Sequence, residues 1–219
     1  MAKTKAGDAS ELKAIYKEWK GPIERRLGEF RQRFRDGSEK DIFQELAFCL
    51  MTPQSKARSC WATAEAIRGN GLLYDGDCRC LSREMNRVRF RNHKANYIVE
   101  ARRLFTLGDR LQIKERLAGF KDPTDARDWL VDNVKGMGLK EASHFLRNLG
   151  FGDDLAILDR HILKNLKAYG AILEVPRALT RKRYLELEAR MRAFSRKVGI
   201  PMAHLDLLLW CKETGEIFK

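Results

Sequence analysis

Apolar residues recur at helical spacing over nearly the whole chain, and no alternation of β-branched or aromatic residues lasts more than a few positions. A chain patterned this way buries its apolar stripes by packing helix on helix, so the expected fold class is all-α. The first stretch, Glu11 to Phe34, carries Leu12, Ile15, Trp19, Ile23, Leu27, Phe30 and Phe34, and Pro22 is expected to break or kink it. A second helix, Asp41 to Met51, is stopped by Thr52-Pro53. Ser55 is placed to cap a third that ends before Gly69-Asn70-Gly71. Residues 71 to 91 read as a short helix or a loop, and Asn92 to Phe105 resumes the helical pattern. Further helices are expected over Ile113–Leu117, Asp125–Val134, Leu139–Leu149, Asp159 to near Gly170, Thr180–Val198 and Met202–Lys212, most of them closed by a nearby glycine.

The charge balance narrows the partner. Lys and Arg number 43 against 30 Asp and Glu, a net charge of +13, which points to a polyanion such as nucleic acid. Charge alone leaves open a solvated surface in which Lys and Arg merely predominate. A hydrophobic share of 44% excludes a disordered chain, and 219 residues suffice for one domain or two small lobes. No apolar run reaches the roughly 18 residues of a transmembrane helix. The N-terminus, Met1-Ala2-Lys3-Thr4-Lys5, leads into no signal-peptide core, so no membrane association and a cytoplasmic, nucleoid-associated location are expected. Cys49, Cys60, Cys78, Cys80 and Cys211 are odd in number and irregular in spacing, which does not suggest a disulfide framework. Cys78-Arg79-Cys80 lacks the spacing of a zinc motif, and no four cysteines cluster as an iron–sulfur site would need, so no metal site is expected.

The most informative stretch is Val131-Asp132-Asn133-Val134-Lys135-Gly136-Met137-Gly138-Leu139-Lys140-Glu141-Ala142, a helix, a tight glycine turn and a second helix. Glycines at 136 and 138 permit left-handed backbone and close approach of a ligand. The helix that follows opens with unpaired N–H groups and the positive end of its dipole, a phosphate site indifferent to base sequence. Lys135, Gly136 and Gly138 are therefore candidate phosphate contacts, and the turn's carbonyls can hold a monovalent cation against the phosphate. An ordinary αα-hairpin with glycine turn residues remains the plain alternative. Lys140 lies just inside the second helix, where the dipole and any desolvation favour the neutral amine that a Schiff-base nucleophile requires. Asp159, in Ile157-Leu158-Asp159-Arg160-His161-Ile162, suits a helix N-cap. Beside Lys140 its carboxylate can also take the amine's proton and stabilise an oxocarbenium ion.

The run Gly136 to Asn148, the block Leu158-Asp159-Arg160-His161-Ile162, the C-terminal His204 to Glu216 and Thr52-Pro53-Gln54-Ser55-Lys56-Ala57 together resemble the helix-hairpin-helix DNA glycosylases. More narrowly they resemble the type-2 8-oxoguanine DNA glycosylase/AP lyases. The resemblance spans about residue 41 to the end, and its two C-terminal blocks are specific. Two departures are visible: Gly150-Phe151-Gly152-Asp153-Asp154 lacks the proline usual before the aspartate, and the cysteine cluster of the endonuclease III branch is missing.

The resemblance implies two helical lobes with the hairpin, about residues 125–149, at the cleft between them. Residues 1–40 with 140–219 would form one lobe, carrying the aspartate and the C-terminal recognition segment, and 41–139 a helical bundle. It makes Lys140 the Schiff-base lysine and Asp159 the catalytic aspartate of a base-excision enzyme. That enzyme expels 8-oxoguanine from double-stranded DNA and then cuts the strand by β-elimination, as a monomer and with no organic cofactor. It places Gln54 as the wedge that fills the vacated stack and Trp210 as a platform for the flipped base, with Asp206 one turn earlier on the same face. Phe90 is assigned the opposite wall, with core packing as the even alternative. Lys219 ends the chain, and its terminal carboxylate can accept the N7–H that 8-oxoguanine has and guanine lacks. His144 and His161 read as polar packing, and Arg89-Phe90-Arg91-Asn92-His93-Lys94 as a stretch that tracks phosphates. Two alternatives stay open: the same fold acting on another damaged base, and a non-catalytic hairpin DNA-binding module.

Overall fold

The computed structural model describes residues 9–219. The polar Met1–Lys5 stretch, read above for its lack of a signal-peptide core, lies outside them. The described residues form twelve helices: α1 (Ala9–Asp36), α2 (Glu39–Met51), α3 (Ala57–Gly69), α4 (Leu72–Asp75), α5 (Cys78–Glu84), α6 (Arg91–Phe105), α7 (Ile113–Ala118), α8 (Pro123–Asn133), α9 (Leu139–Asn148), α10 (Arg160–Ala168), α11 (Arg181–Val198) and α12 (Met202–Thr214). Between α6 and α7 a two-stranded antiparallel hairpin pairs β1 (Thr106–Leu107) with β2 (Arg110–Leu111). The fold is all-α, as the spacing of apolar residues implies. Among the described residues no helix is long and apolar enough to cross a membrane.

Two local expectations change. Helix α1 runs through Pro22 without a break. Pro22 is exposed, so the carbonyl that loses its partner faces water while Leu12, Ile23, Leu27 and Phe30 keep the buried side continuous. Ser55 does not cap α3, whose N-cap is Lys56 with no side-chain cap bond. Its hydroxyl is taken up by Arg89 and Lys94 instead.

The chain divides into two compact units. One takes the chain up to Phe30 together with Gly152–Lys219, and the other is Arg31–Phe151. The boundaries expected after residues 40 and 139 are thus displaced, for two packing reasons. The end of α1 belongs with the second unit through an edge-on contact of Phe34 with Phe151, ring centres 4.4 Å apart, and a pairing of Arg33 with the buried Glu45 at 3.6 Å. At the other boundary, α9 packs on both α8 and α2, so the hairpin stays whole.

The second unit is organised on α2, in which every residue from Ile42 to Met51 is buried, and on α9, buried from Ala142 to Asn148. A helix buried on all sides must satisfy its polar groups internally. Glu45 accepts a hydrogen bond from Asn148 Nδ2 at 2.7 Å, and His144 packs edge-on against Phe48 at 5.5 Å. The helix behind the hairpin is thereby fixed in both depth and rotation. In the first unit α12 packs against α10 and α11.

Candidate functional site

The hairpin has the geometry that its glycines suggest. Helix α8 starts with Pro123 in its first turn and Asp122 as N-cap, accepting from Thr124 N–H, and ends at Asn133. The turn folds back through a bond from Met137 N–H to the Val134 carbonyl at 3.1 Å. Met137 anchors it by burying its side chain. Gly136 is left-handed, with φ +84°, and a Cβ there would run into the Tyr97 ring of α6. Gly138 is the extended N-cap of α9 and offers no side-chain cap bond to the first N–H groups of that helix. Lys135 is exposed and pairs with Glu100 at 3.0 Å, a surface contact of little energy that a phosphate can displace.

Lys140 sits in the first turn of α9, half-buried. Its Nζ lies 2.9 Å from Glu141 Oε1. The dipole argument for a neutral amine left this carboxylate out of account: in the resting protein the amine has an anionic partner one residue away. Sequence reasoning placed Glu141 inside the hairpin motif without giving it a role.

Asp159 belongs to the other unit and opens α10. Its Oδ1 accepts from Ile162 N–H at 2.8 Å, so the capping bond expected of it is present. The segment before it, with no proline, turns through bonds from Leu155 N–H to the Gly152 carbonyl and from Asp159 N–H to the Ile157 carbonyl, and is held from α11. Glu188 accepts from Ala156 N–H at 2.8 Å, and Tyr184 donates to the Ala156 carbonyl at 2.5 Å. Leu155, Ala156, Ile157 and Leu158 are all buried, which fixes the backbone that presents the aspartate. Behind Asp159, Glu213 of α12 receives Lys164 at 2.7 Å and Asn165 at 3.0 Å, with His161 at 3.7 Å. These bonds hold the carboxyl of Glu213 below its usual range, through Lys164 first and Asn165 next. Helix α10, with Asp159 at its head, is thus tied to the helix that carries Trp210. On α12 Asp206 is buried and Trp210 half-buried, and the terminal Lys219 is buried as well.

Gln54 and Phe90 belong to the hairpin's unit and share an unusual backbone. They are the two residues other than glycine with positive φ among those described, at +55° and +57°. A left-handed residue with a Cβ costs about 1–2 kcal/mol, so each must be held there by its surroundings. Gln54 is exposed at a loop tip between α2 and α3. Phe90 is 53% exposed, which decides against core packing, and the Arg89 guanidinium lies 5.5 Å from its ring centre.

With this geometry in hand, comparison with known proteins is decisive. The model of a family described as 8-oxoguanine DNA glycosylase matches residues 23–200. An 8-oxoguanine DNA glycosylase/AP lyase of Fusobacterium nucleatum is 45% identical over 210 residues, 96% of this chain and 97% of that protein. The chain belongs to the 8-oxoguanine DNA glycosylase family. A solved 8-oxoguanine DNA glycosylase of Thermotoga maritima is 37% identical, with a TM-score of 0.84 over 96% of this chain and 98% of that one. The 8-oxoguanine glycosylase/lyase of Methanocaldococcus jannaschii, solved with a 15-mer DNA containing 8-oxoguanine, is 35% identical, with a TM-score of 0.86 over 96% and 99%.

The hairpin of this family member gives a direct prediction. Gly136→Ala must place a methyl group against Tyr97 in a left-handed backbone. It is expected to lower stability by about 1–3 kcal/mol and to weaken binding to undamaged duplex DNA several-fold. Thermal melting and fluorescence anisotropy with a labelled duplex check both effects. Wild-type values in both would remove the requirement for glycine at this turn.

Proposed function

We propose that this protein excises 8-oxoguanine from double-stranded DNA and then cleaves the resulting abasic strand, acting as a single copy on its DNA. The observation that carries this reading is the phosphate-binding hairpin that delivers Lys140 in the first turn of α9. The relatives are 8-oxoguanine glycosylase/lyases, which agrees with it.

The chemistry follows from the residues. The turn at Gly136 and Gly138 grips a backbone phosphate through N–H groups, which aligns DNA without reading sequence. Carbonyls of residues 135–137 receive no backbone hydrogen bond among the described residues, and neutral oxygens of this kind suit a monovalent cation beside that phosphate. Gln54 fills the gap left by the extruded nucleotide; Phe90, and in the other unit Trp210, each offer a flat ring on which a base can stack. Asp206 accompanies Trp210, and Lys219 takes part in recognising the oxidised base. The amine of Lys140, once relieved of its proton by Asp159, bonds to C1′ as the C1′–N9 bond breaks, and the departing base takes up a proton. The aminal then opens as its C1′–O4′ bond breaks and O4′ takes up a proton, giving an iminium; loss of a proton from C2′ expels the 3′ phosphate and the strand is cut.

A duplex carrying one 8-oxoguanine, compared with duplexes carrying guanine or an oxidised pyrimidine at the same place, tests the proposal. Base release and a nicked strand are expected for 8-oxoguanine alone. Removal of Lys219 should lower the ratio of 8-oxoguanine to guanine excision more than it weakens DNA binding. Preferential release of the pyrimidine would assign the fold to another lesion, and binding without release of any base would make it a non-catalytic module.

A further inference from the structure

The basic run Arg89 to Lys94 reads in sequence as a surface that follows phosphates, and its last member does not fit that reading. Lys94 is 4% exposed. It lies on the buried face of α6 with Ile98, Ala101 and Phe105, where an ammonium is costly unless each of its protons finds an acceptor. It finds three: the Met51 carbonyl at 2.7 Å, the Pro53 carbonyl at 2.6 Å and Ser55 Oγ at 3.1 Å. All three belong to the loop whose tip is Gln54. Ser55 Oγ also accepts from Arg89 N–H at 3.0 Å, the residue before Phe90. The Met51 carbonyl receives a further bond from Cys60 Sγ at 3.3 Å. Burial pushes that thiol up to about 11, so it stays protonated and donating. One ammonium and one hydroxyl therefore tie together the unit's two left-handed residues other than glycine, Gln54 and Phe90.

We infer that Lys94 is a positioning residue for base extrusion: a built-in cation that locks the Gln54 loop and, through Ser55, the Phe90 turn into one preformed wedge. The inference rests on the reading of Gln54 as the wedge and adds what holds it. A loop gathered around a charge keeps its shape when a stacked base is forced out against it. The same loop without that charge would spend part of the extrusion energy on ordering itself. Burial works against the ammonium and lowers the lysine from its ordinary value, while the bonds to three oxygens favour it and keep the loop together.

The test uses single-turnover excision by the full chain on two duplexes, 8-oxoguanine opposite cytosine and 8-oxoguanine opposite a tetrahydrofuran abasic analogue. The second has no base pair to break and no orphaned partner to support. Lys94→Met is expected to slow excision from the paired duplex by about 10²-fold and from the unpaired one by less than about threefold. A 2-aminopurine placed beside the lesion should lose its extrusion signal in the same proportion. Ser55→Ala, a milder change that removes one of the three acceptors and the Arg89 anchor, should move the same ratio in the same direction. It carries the test if Lys94→Met does not fold. Equal losses on both duplexes, or none on either, would overturn the inference and leave Lys94 a stabilising residue. Gln54→Ala separates the two readings. If it reproduces the selective loss while Lys94→Met and Ser55→Ala do not, the wedge stands without its clamp. If Gln54→Ala shows no selective loss, the wedge reading itself fails.

Discussion

Lys140→Gln is expected to abolish covalent trapping on an 8-oxoguanine duplex in borohydride and to reduce base excision by about 10⁴-fold or more, since a nucleophile's loss is not shared out among the remaining groups. Glutamine keeps the polar length of the side chain but has no amine to bond to C1′. The variant should still bind DNA within a few-fold of the parent, because the proposed phosphate grip belongs to backbone N–H groups at Gly136 and Gly138, not to this side chain. The resting contact of Lys140 with Glu141, 2.9 Å, gives the prediction a second part. On the proposed reading the amine must leave this ion pair before it attacks, so engagement of DNA has to supply the sugar and release the Glu141 carboxylate together. Folding stability should move by no more than about 0.5 kcal/mol, as the pair is partly exposed. An adduct of undiminished yield in Lys140→Gln would show that another nucleophile performs the chemistry.

What the sequence makes legible here is what repeats locally. Helical spacing identifies α9 and α11 by apolar residues that recur on one face over several turns, and α2 and α12 are legible as apolar runs bounded by breaking residues. Gly119, Gly150, Gly199 and Gly215 mark helix ends because each follows the last turn of its helix. The hairpin is legible because Gly136 answers a backbone need, a left-handed turn under the Tyr97 ring, and backbone needs are written at single positions. Burial of a charge is not written that way. Lys94 sits among Arg89, Arg91 and His93, which are solvent-facing, and only the fold brings the 51–55 loop to its ammonium. The same fact explains why Ser55 is no helix cap: an acceptor that can serve a buried ammonium and Arg89 N–H is worth more there than at the exposed end of α3. The division between units escapes the sequence for a different reason. It falls inside the continuous helix α1, between Phe30 and Arg31, where neither composition nor periodicity changes. Glu141 was visible as a residue, but its contact with Lys140 depends on rotamers in one helical turn, which spacing does not fix.

Asp159→Asn is expected to slow base excision by about 10²–10⁴-fold while leaving the protein as stable as before. The two duties of the residue separate cleanly because of where it stands. As the N-cap of α10 it needs only an oxygen that accepts from Ile162 N–H, and asparagine supplies one as well as aspartate does. As the partner of a lysine nucleophile it needs a negative charge, which asparagine cannot supply, to take a proton and to stabilise a cationic sugar. Asp159→Ala removes both, and should add to the catalytic loss a destabilisation of about 1 kcal/mol, or about 2–4 °C in melting temperature for a chain of this size. Thermal melting of both variants beside single-turnover excision therefore reads capping and catalysis on separate axes. The segment that presents the residue supports the same expectation: Tyr184 and Glu188 fix Ala156 from α11 and do not touch the aspartate's charge, so the backbone position survives either substitution. If Asp159→Asn excised 8-oxoguanine at the parent rate, the carboxylate would be a helix cap and nothing more, and the acid that serves Lys140 would have to be sought elsewhere, with Glu141 the first to test.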